Sequence, residues 1–590
     1  MKIEVTRIFD ILPHYKENYK HKEDVIVGKE DGVWVKHDID EYIEKAKNIS
    51  YGLIKLGVKP GDKIATISNN RPEWNFLDMG VSQIGAIHTP IYPTISEDDY
   101  RFILKHAEVK YVFVAGKELL SKIEHILPDI PSIKGIYTFK NIATEKHLND
   151  LIELGEKNPV PEKLKKLKAE IKEEDIATLI YTSGTTGNPK GVMLSHSNIL
   201  TNAKAVAHIP PVGEEGRALS YLPLCHVYER MLNYCFQYLG ISIYYAENMG
   251  KIADNIRETK PHILSTVPRL LEKVYDRIVD KGRKLTGLKR QLFFWSLNLG
   301  LRYELNGANG WLYGLKLGIA RKLVFSKWQA GLGGNMKVIV SGGAALQERL
   351  GRVFTAAGIP CLEGYGLTET SPVITVNDFN ENGWKFGTVG PPIKDVEIKI
   401  AEDGEILSRG PNTMLGYFKA PELTKEVIDI DGWFHTGDVG VIEKMGQLRI
   451  TGRKKEIFKT SLGKYISPQL LENKFKESPF IDNIVVLGEN QKFAAALVVP
   501  DFEHLRAWCK VKNIKYSTDA EMLQEKIIKQ RFQREITTQN KYFGNTEKIM
   551  RFEMIDHLWA IETGELTANL KLKRGFITKK YNERVDKLFR

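Results

Sequence analysis

Apolar residues along the chain recur at two periods. Short runs rich in β-branched residues predict buried strands: Lys63–Ile67 (KIATI), Tyr111–Val114 (YVFV), Ala177–Tyr181 (ATLIY) and Lys337–Val340 (KVIV). Between them, stretches such as Ile39–Leu56 and Asp98–His106 space their apolar residues as helices do. Strands alternating with helices predict an α/β fold with doubly wound, parallel sheets up to about residue 450. After about residue 387 the texture changes to short strands with close turns, VEIKIAEDGEILSRG and then GQLRITGRKKE. That segment reads as antiparallel, β-barrel-like or linking. Further on, Ser467-Pro468 gives a helix start, with Ser at the N-cap and Pro at the first helical position. Strands over Asn483–Leu487 and Phe493–Val499 follow it. The chain therefore divides into a large α/β domain over 1–452 and a small α+β domain over 453–590.

Composition narrows the class. With 42% hydrophobic and 27% charged residues over 590 positions, the chain is that of a soluble globular protein. It has no apolar stretch of bilayer-spanning length and no signal-peptide pattern at MKIEVTRIFDILPHYKENYK. The four cysteines, Cys225, Cys235, Cys361 and Cys509, are scattered without metal-ligand spacing, which reads as reduced thiols in a cytoplasmic protein.

The net charge of +11 is local. Residues 453–590 carry 27 bases against 18 acids, and residues 281–330 carry ten bases against one acid. The rest of the chain is net acidic, unlike a nucleic-acid coat, and no nucleic-acid module accompanies either basic segment.

The strongest chemical signal is Tyr181-Thr-Ser-Gly-Thr-Thr-Gly-Asn-Pro-Lys190-Gly191, directly after an apolar run. Small residues let backbone N–H groups approach phosphate oxygens, hydroxyls add donors and Lys190 adds a point charge. The Walker spacing fails, because Pro189 stands five residues after Gly184 and Gly191 follows Lys190. This is a different phosphate loop, contributing Thr182, Ser183, Gly184, Thr185, Thr186, Gly187 and Lys190.

That loop resembles the phosphate loop of the acyl-adenylate-forming superfamily. Three later segments resemble the superfamily's other motifs, in the same order: Glu363-Gly-Tyr-Gly-Leu-Thr-Glu-Thr370, Asp431-Gly-Trp-Phe-His-Thr-Gly-Asp438 and Gly452-Arg-Lys-Lys-Glu-Ile457. The resemblance runs from about residue 30 to the end, and it implies two steps. A carboxylate and ATP give acyl-adenylate and pyrophosphate, and the acyl group then passes to the CoA thiol. Glu369 is then the Mg2+ ligand, Thr368 a donor to the α-phosphate and Tyr365, between Gly364 and Gly366, the ring against adenine. Ser341-Gly342-Gly343-Ala344-Ala345 resembles the stretch edging the adenine. Asp438 resembles the acceptor of the ribose hydroxyls with Arg453 beside it; structural ion pairing is the other reading of these two. Lys571 resembles the C-terminal catalytic lysine. Ala568, Asn569 and Leu570 replace the usual proline or glycine before it, and Lys573 is a rival.

Ser68–Trp74, Leu222–Arg230 and Val267–Val274 resemble the long-chain fatty-acid–CoA ligases in particular. His226 resembles a residue lining the acyl-adenylate pocket. Arg230 stands where some long-chain members carry an aromatic gate, so a gate of that design is not expected. The implied activity is ligation of a long-chain fatty acid to CoA. A ligase for another carboxylate, a luciferase-type oxygenase and a non-catalytic lipid-binding relative remain as alternatives.

Turning the small domain between the two steps requires a pivot, and Lys455 resembles it. Gly463, in the following loop, resembles the position where the pantetheine arm enters. Residues 281–330 combine their ten bases with eight aromatics. They read either as a reversible, peripheral membrane contact or as a helical pair with its aromatics packed inside.

Overall fold

The computed structural model describes residues 3–182, 188–567 and 571–590. Two eight-stranded sheets dominate it. In the first, strands Ile26–Glu30, Arg217–Ser220, Ser242–Tyr245, Ile263–Thr266, Val338–Ser341 and Cys361–Gly366 run parallel to their neighbours. Antiparallel strands close both edges, Val33–His37 at one and Val373–Val376 at the other. The second sheet is parallel through Lys63–Ile67, Ile87–Ile91, Val109–Val114, Gly135–Thr138 and Ile176–Thr182. It then turns antiparallel through Lys190–Ser195 and Gly416–Tyr417.

One hydrophobic core spans both sheets, joining Ile64, Phe113 and Val192 of the second with Ile26, Ile243 and Val338 of the first. Helices supply its middle layer: Trp74, Phe76 and Leu77 from Pro72–Ser82, and Met231, Tyr234 and Phe236 from Val227–Tyr238. Both helices are buried on nearly every face, as helices between two sheets must be.

The predicted strands at 63–67, 111–114, 177–181 and 337–340 appear within one or two residues of their expected ends. So do the helices Ile39–Lys55 and Glu97–His106. The latter opens on Ser96, whose hydroxyl accepts from the Asp99 N–H at 3.2 Å.

The β-rich segment after residue 387 forms a four-stranded sheet in sequence order: Glu397–Ile400, Glu405–Arg409, Phe434–Ile442 and Leu448–Arg453. The chain forms two compact units. The larger takes Met1–Lys399, Leu407–His435 and Glu443–Leu448; the smaller takes Ile400–Ile406, Thr436–Ile442 and Arg449–Arg590.

The smaller unit is built on a three-stranded sheet, Ile481–Leu487, Ala494–Pro500 and Ile549–Met554, with an apolar cluster on each face. Its first helix, Pro468–Phe475, starts where Ser467-Pro468 predicted. The Ser467 hydroxyl does not cap it, however: it donates to the Thr451 carbonyl at 2.7 Å. All four cysteines are buried and unpaired. Among the described residues no helix is long and apolar enough to cross a membrane.

Candidate active site

The strands of the first sheet end side by side, and their carboxyl ends carry the sequence-identified segments. Thr266 pairs with Ser341, and Ser341 with Glu363, so Gly342, Gly343 and Ala344 emerge beside Gly364 and Tyr365. Such ends are where open α/β sheets bind ligands. Leu222–Arg230 leaves the neighbouring strand Arg217–Ser220, and Asn70 of the Ser68–Trp74 segment holds it there. The Asn70 amide donates to the Leu222 carbonyl at 2.7 Å, and its oxygen accepts from the Leu224 N–H at 3.0 Å. The structure thus brings together segments 150 residues apart.

Gly342 lies under the Tyr228 ring, where a Cβ would come within 3.2 Å, and the Tyr228 hydroxyl donates to the Val340 carbonyl at 3.0 Å. Buried Glu363 accepts from the Leu346 N–H at 3.2 Å, tying the Ser341–Ala345 turn to the strand that carries Tyr365. Burial pushes the Glu363 carboxyl up to about 8. His226 caps helix Val227–Tyr238, with Nδ1 accepting from the Tyr228 N–H at 3.1 Å. Its half-buried ring meets Tyr92 edge-on at 6.4 Å.

The turn holding Thr368 and Glu369 is fixed from below. Its strand cannot accept any residue but glycine at 366, where a Cβ would stand 1.7 Å from the Pro372 carbonyl oxygen. Buried Asn202 and Asn412 donate to the Val373 carbonyl at 2.7 and 3.0 Å, and the Glu369 carbonyl accepts from the Met414 N–H at 2.8 Å.

The phosphate segment lies between two strands that pair antiparallel. Tyr181 pairs with Gly191 and Thr182 with Lys190 across antiparallel strands. Ser183, Gly184, Thr185, Thr186 and Gly187 lie outside the described residues. At the end of this strand pair the ammonium of Lys190 stands 4.9 Å over the Tyr417 ring, and the Tyr417 hydroxyl donates to Glu369 Oε1 at 2.9 Å. Burial, then the Glu369 charge, push the Tyr417 hydroxyl pKa far up, so it stays a donor. Sequence reasoning missed Tyr417. Gly416-Tyr417 is too short a strand to show a period, and only its pairing with Val192 and Met193 brings it here.

Arg230 is no gate. Its guanidinium, 1% exposed, pairs with Asp78 and donates to Thr178 Oγ1 at 2.7 Å and the Tyr234 hydroxyl at 2.8 Å. Burial pushes the Asp78 carboxyl up, but Arg230, His88 and Tyr234 outweigh it and hold it down at about 2. This network joins both central helices to the second sheet.

The smaller unit holds the remaining sequence-identified residues. Asp438 and Arg453 form an ion pair, Nε to Oδ1 at 3.4 Å. Lys455 lies in the exposed turn that follows, and Gly463 in the exposed turn between Phe458–Lys459 and Tyr465–Ile466, at φ +80°, where a Cβ would meet the Lys459 side chain at 3.8 Å. Lys571 and Thr567 exchange hydrogen bonds: the Thr567 N–H donates to the Lys571 carbonyl at 2.8 Å, and the Lys571 N–H to Thr567 Oγ1 at 3.0 Å. Ala568, Asn569 and Leu570 lie outside the described residues. Exposed Lys573 leads into helix Arg574–Lys580, its N–H held by the Glu565 carbonyl at 2.8 Å.

Among the described residues, no group of three or more His, Cys, Asp or Glu side chains could hold a metal. Mg2+ does not need one. It keeps several waters and binds through one or two carboxylates plus substrate phosphates. A half-buried Glu369 beside the phosphate segment fits that chemistry.

Two family profiles match the chain: AMP-binding enzyme over residues 16–418, and AMP-binding enzyme C-terminal domain over residues 455–590. The chain is 33% identical over 575 residues to long-chain-fatty-acid–CoA ligase FadD15 of Mycobacterium bovis, covering 95% of this chain and 93% of that one. It is 30% identical to human long-chain-fatty-acid–CoA ligase 1, covering 92% and 81% respectively. The adenylation domain of a carboxylate reductase from Mycobacterium chelonae aligns with a TM-score of 0.78 at 19% identity, over 99% of this chain and 91% of that one.

Proposed function

The chain belongs to the AMP-binding enzyme family, and we propose that it is an ATP-dependent long-chain fatty-acid–CoA ligase. Near-full-length identity to ligases of that name supports the substrate class. The arrangement that carries the reading is the Lys190–Tyr417–Glu369 chain: a cation, a donor and a carboxylate at the end of the Gly/Thr segment. In the first step a fatty-acid carboxylate oxygen bonds to the α-phosphorus of ATP and the bond to pyrophosphate breaks. In the second, the CoA thiol loses its proton, sulfur bonds to the acyl carbon, and AMP leaves with the mixed-anhydride oxygen.

Each residue then has a task. Lys190, with Thr182 and the residues up to Gly187, holds the β- and γ-phosphates; Thr368 donates to the α-phosphate. Glu369 holds Mg2+, which offsets phosphate charge when bound. Tyr417 keeps the Glu369 carboxylate aimed. Gly342, Gly343, Ala344, Gly364, Tyr365 and Gly366 frame the adenine, Asp438 and Arg453 the ribose, and His226 the acyl carbonyl. Lys571 neutralises the carboxylate and bridging oxygen during adenylation. The small domain at 453–590 turns about Lys455 for the second step, when Gly463 admits the pantetheine arm. Membrane contact through residues 281–330 belongs to the same reading, because long-chain fatty acids partition into bilayers.

ATP–pyrophosphate exchange tests this. Exchange that depends on a long-chain fatty acid, with AMP and thioester formed once CoA is added, is the expected result. Exchange driven only by another class of carboxylate makes the chain a different ligase, and no exchange makes it a binding protein.

A further inference from the structure

Resting on that reading, we infer that the outward face of the helix running from Trp311 to Lys327 is a docking surface for an anionic lipid bilayer. The helix Trp311–Ala320 continues through Arg321–Phe325 into Ser326–Gly331. Its inner face is ordinary core: Leu317, Ala320, Val324, Phe325 and Trp328 pack with Phe293, Leu297 and Val353. The outer face is not polar, as a solvated helix face should be. Trp311 is 74% exposed, Leu315 61% and Ile319 52%, with Leu312 and Leu323 beside them. Leu315, Ile319 and Leu323 recur every fourth residue and so form one stripe.

Along the helix itself the charge is of one sign. Lys316, Lys322 and Lys327 are exposed alongside it, and no acidic residue occurs between Glu304 and Glu348. An apolar stripe on a helix whose own charges are all cationic matches acyl chains below anionic phosphates, with the helix lying in the plane of the interface.

Within residues 281–330, this face lies in the second half. In the apolar stretch 291–302, Phe293, Ser296, Leu297 and Gly300 are buried, and Arg283 upstream is paired with Asp280 at 2.7 Å. That stretch is the support on which the docking helix rests, with the Tyr313 hydroxyl donating to the Leu299 carbonyl at 2.6 Å. For a long-chain ligase the consequence is supply, since substrate dissolved in a bilayer is met there.

The full chain is sedimented with phosphatidylcholine vesicles with and without phosphatidylglycerol, and ATP–pyrophosphate exchange is measured on the same preparations. Binding is expected only with phosphatidylglycerol and is weakened by salt. At roughly fivefold per lysine, the Lys316→Glu/Lys322→Glu/Lys327→Glu variant should bind at least tenfold less. Leu315→Gln/Ile319→Gln/Leu323→Gln should lose as much, whereas Arg283→Glu/Lys284→Glu should stay within about twofold, with exchange unchanged in all three. A wild type left in the supernatant at low salt, or binding indifferent to both helix variants, overturns the inference. So does a lipid-free dimer abolished by the Leu/Ile variant, which would make the face a contact between copies. Vesicle binding without exchange would instead sink the ligase reading and leave the docking surface standing.

Discussion

The two units present their chemistry in opposite ways. In the larger, Glu369 is tied from behind through Tyr417 and the Met414 N–H, and the Gly342 turn through Glu363. In the smaller, Lys455 and Gly463 stand on exposed turns, and Lys571 is exposed as well. Only the mount beneath is buried. Arg574, just after the lysine segment, makes a two-pronged pair with Glu472 at 2.8 and 2.9 Å and donates to the Val486 carbonyl at 3.1 Å. Glu565, fully buried, accepts from Lys580 at 2.6 Å and Tyr581 at 2.7 Å. A site that must hold one substrate geometry is over-determined, whereas residues that act in turn are carried on exposed loops with a rigid base.

The largest effect expected of that difference is a loss of activity with no loss of fold. Lys571→Ala removes an exposed ammonium while the backbone bonds with Thr567 remain. Exchange should fall by about 10²–10³, the usual result of deleting one transition-state charge contact. Unfolding should stay within about 0.5 kcal/mol of wild type. Lys573→Ala is expected to cost less than about threefold in exchange; the reverse ranking would hand the catalytic role to Lys573.

The mount should behave in the opposite sense. Arg574→Met leaves Glu472 buried and unpaired, which costs about 3–5 kcal/mol. Chemical denaturation followed by tryptophan fluorescence should show the smaller unit melting early, and adding Glu472→Gln should recover part of the loss. A variant as stable as wild type would mean that the loops are mounted elsewhere.

How much of this was legible in sequence depends on the range of the interaction. Lys63–Ile67 and Ile39–Lys55 follow from local period, and the start of helix Pro468–Phe475 from a two-residue signal. The Ser467 hydroxyl went to a carbonyl 16 residues away, which no local rule foresees. Tyr417 reaches Glu369 across 48 residues and Arg230 reaches Asp78 across 152, so each read as something else or as nothing until the sheets were assembled. The motifs named the chemistry because glycine, threonine and lysine at a loop carry it directly. The partners that aim those groups are ordinary tyrosines and asparagines with no spacing of their own.

Between catalysis and stability stands Gly463. Its φ of +80° is a glycine conformation, and a Cβ there would make only an ordinary contact with the Lys459 side chain at 3.8 Å. Gly463→Leu should therefore slow thioester formation at least tenfold through bulk, while costing about 1–2 kcal/mol of local strain and leaving exchange within about twofold. Gly463→Asn tolerates the same φ with less bulk and should fall between. Equal losses in both half-reactions would remove this turn from the CoA step.

The effect that builds up most gradually lies on the fixed side of the comparison and shows as a pH slope. Burial raises the Glu363 carboxyl to about 8 and the Glu229 carboxyl to about 7, where the unfolded chain titrates near 4.5. A folded-state pKa above the unfolded one gives stability that is fully present below about pH 4.5 and is lost as pH rises toward the folded value. Glu363→Gln keeps an acceptor for the Leu346 N–H but cannot ionise. Wild type should therefore lose about 1.4 kcal/mol per pH unit more than the variant between about pH 5 and 7, the slope of one proton. Denaturation midpoints at each pH give the difference directly. If both proteins lose stability equally across that window, Glu363 is ionised in the fold. Its tie to the adenine-side turn would then be a charge rather than a neutral hydrogen bond.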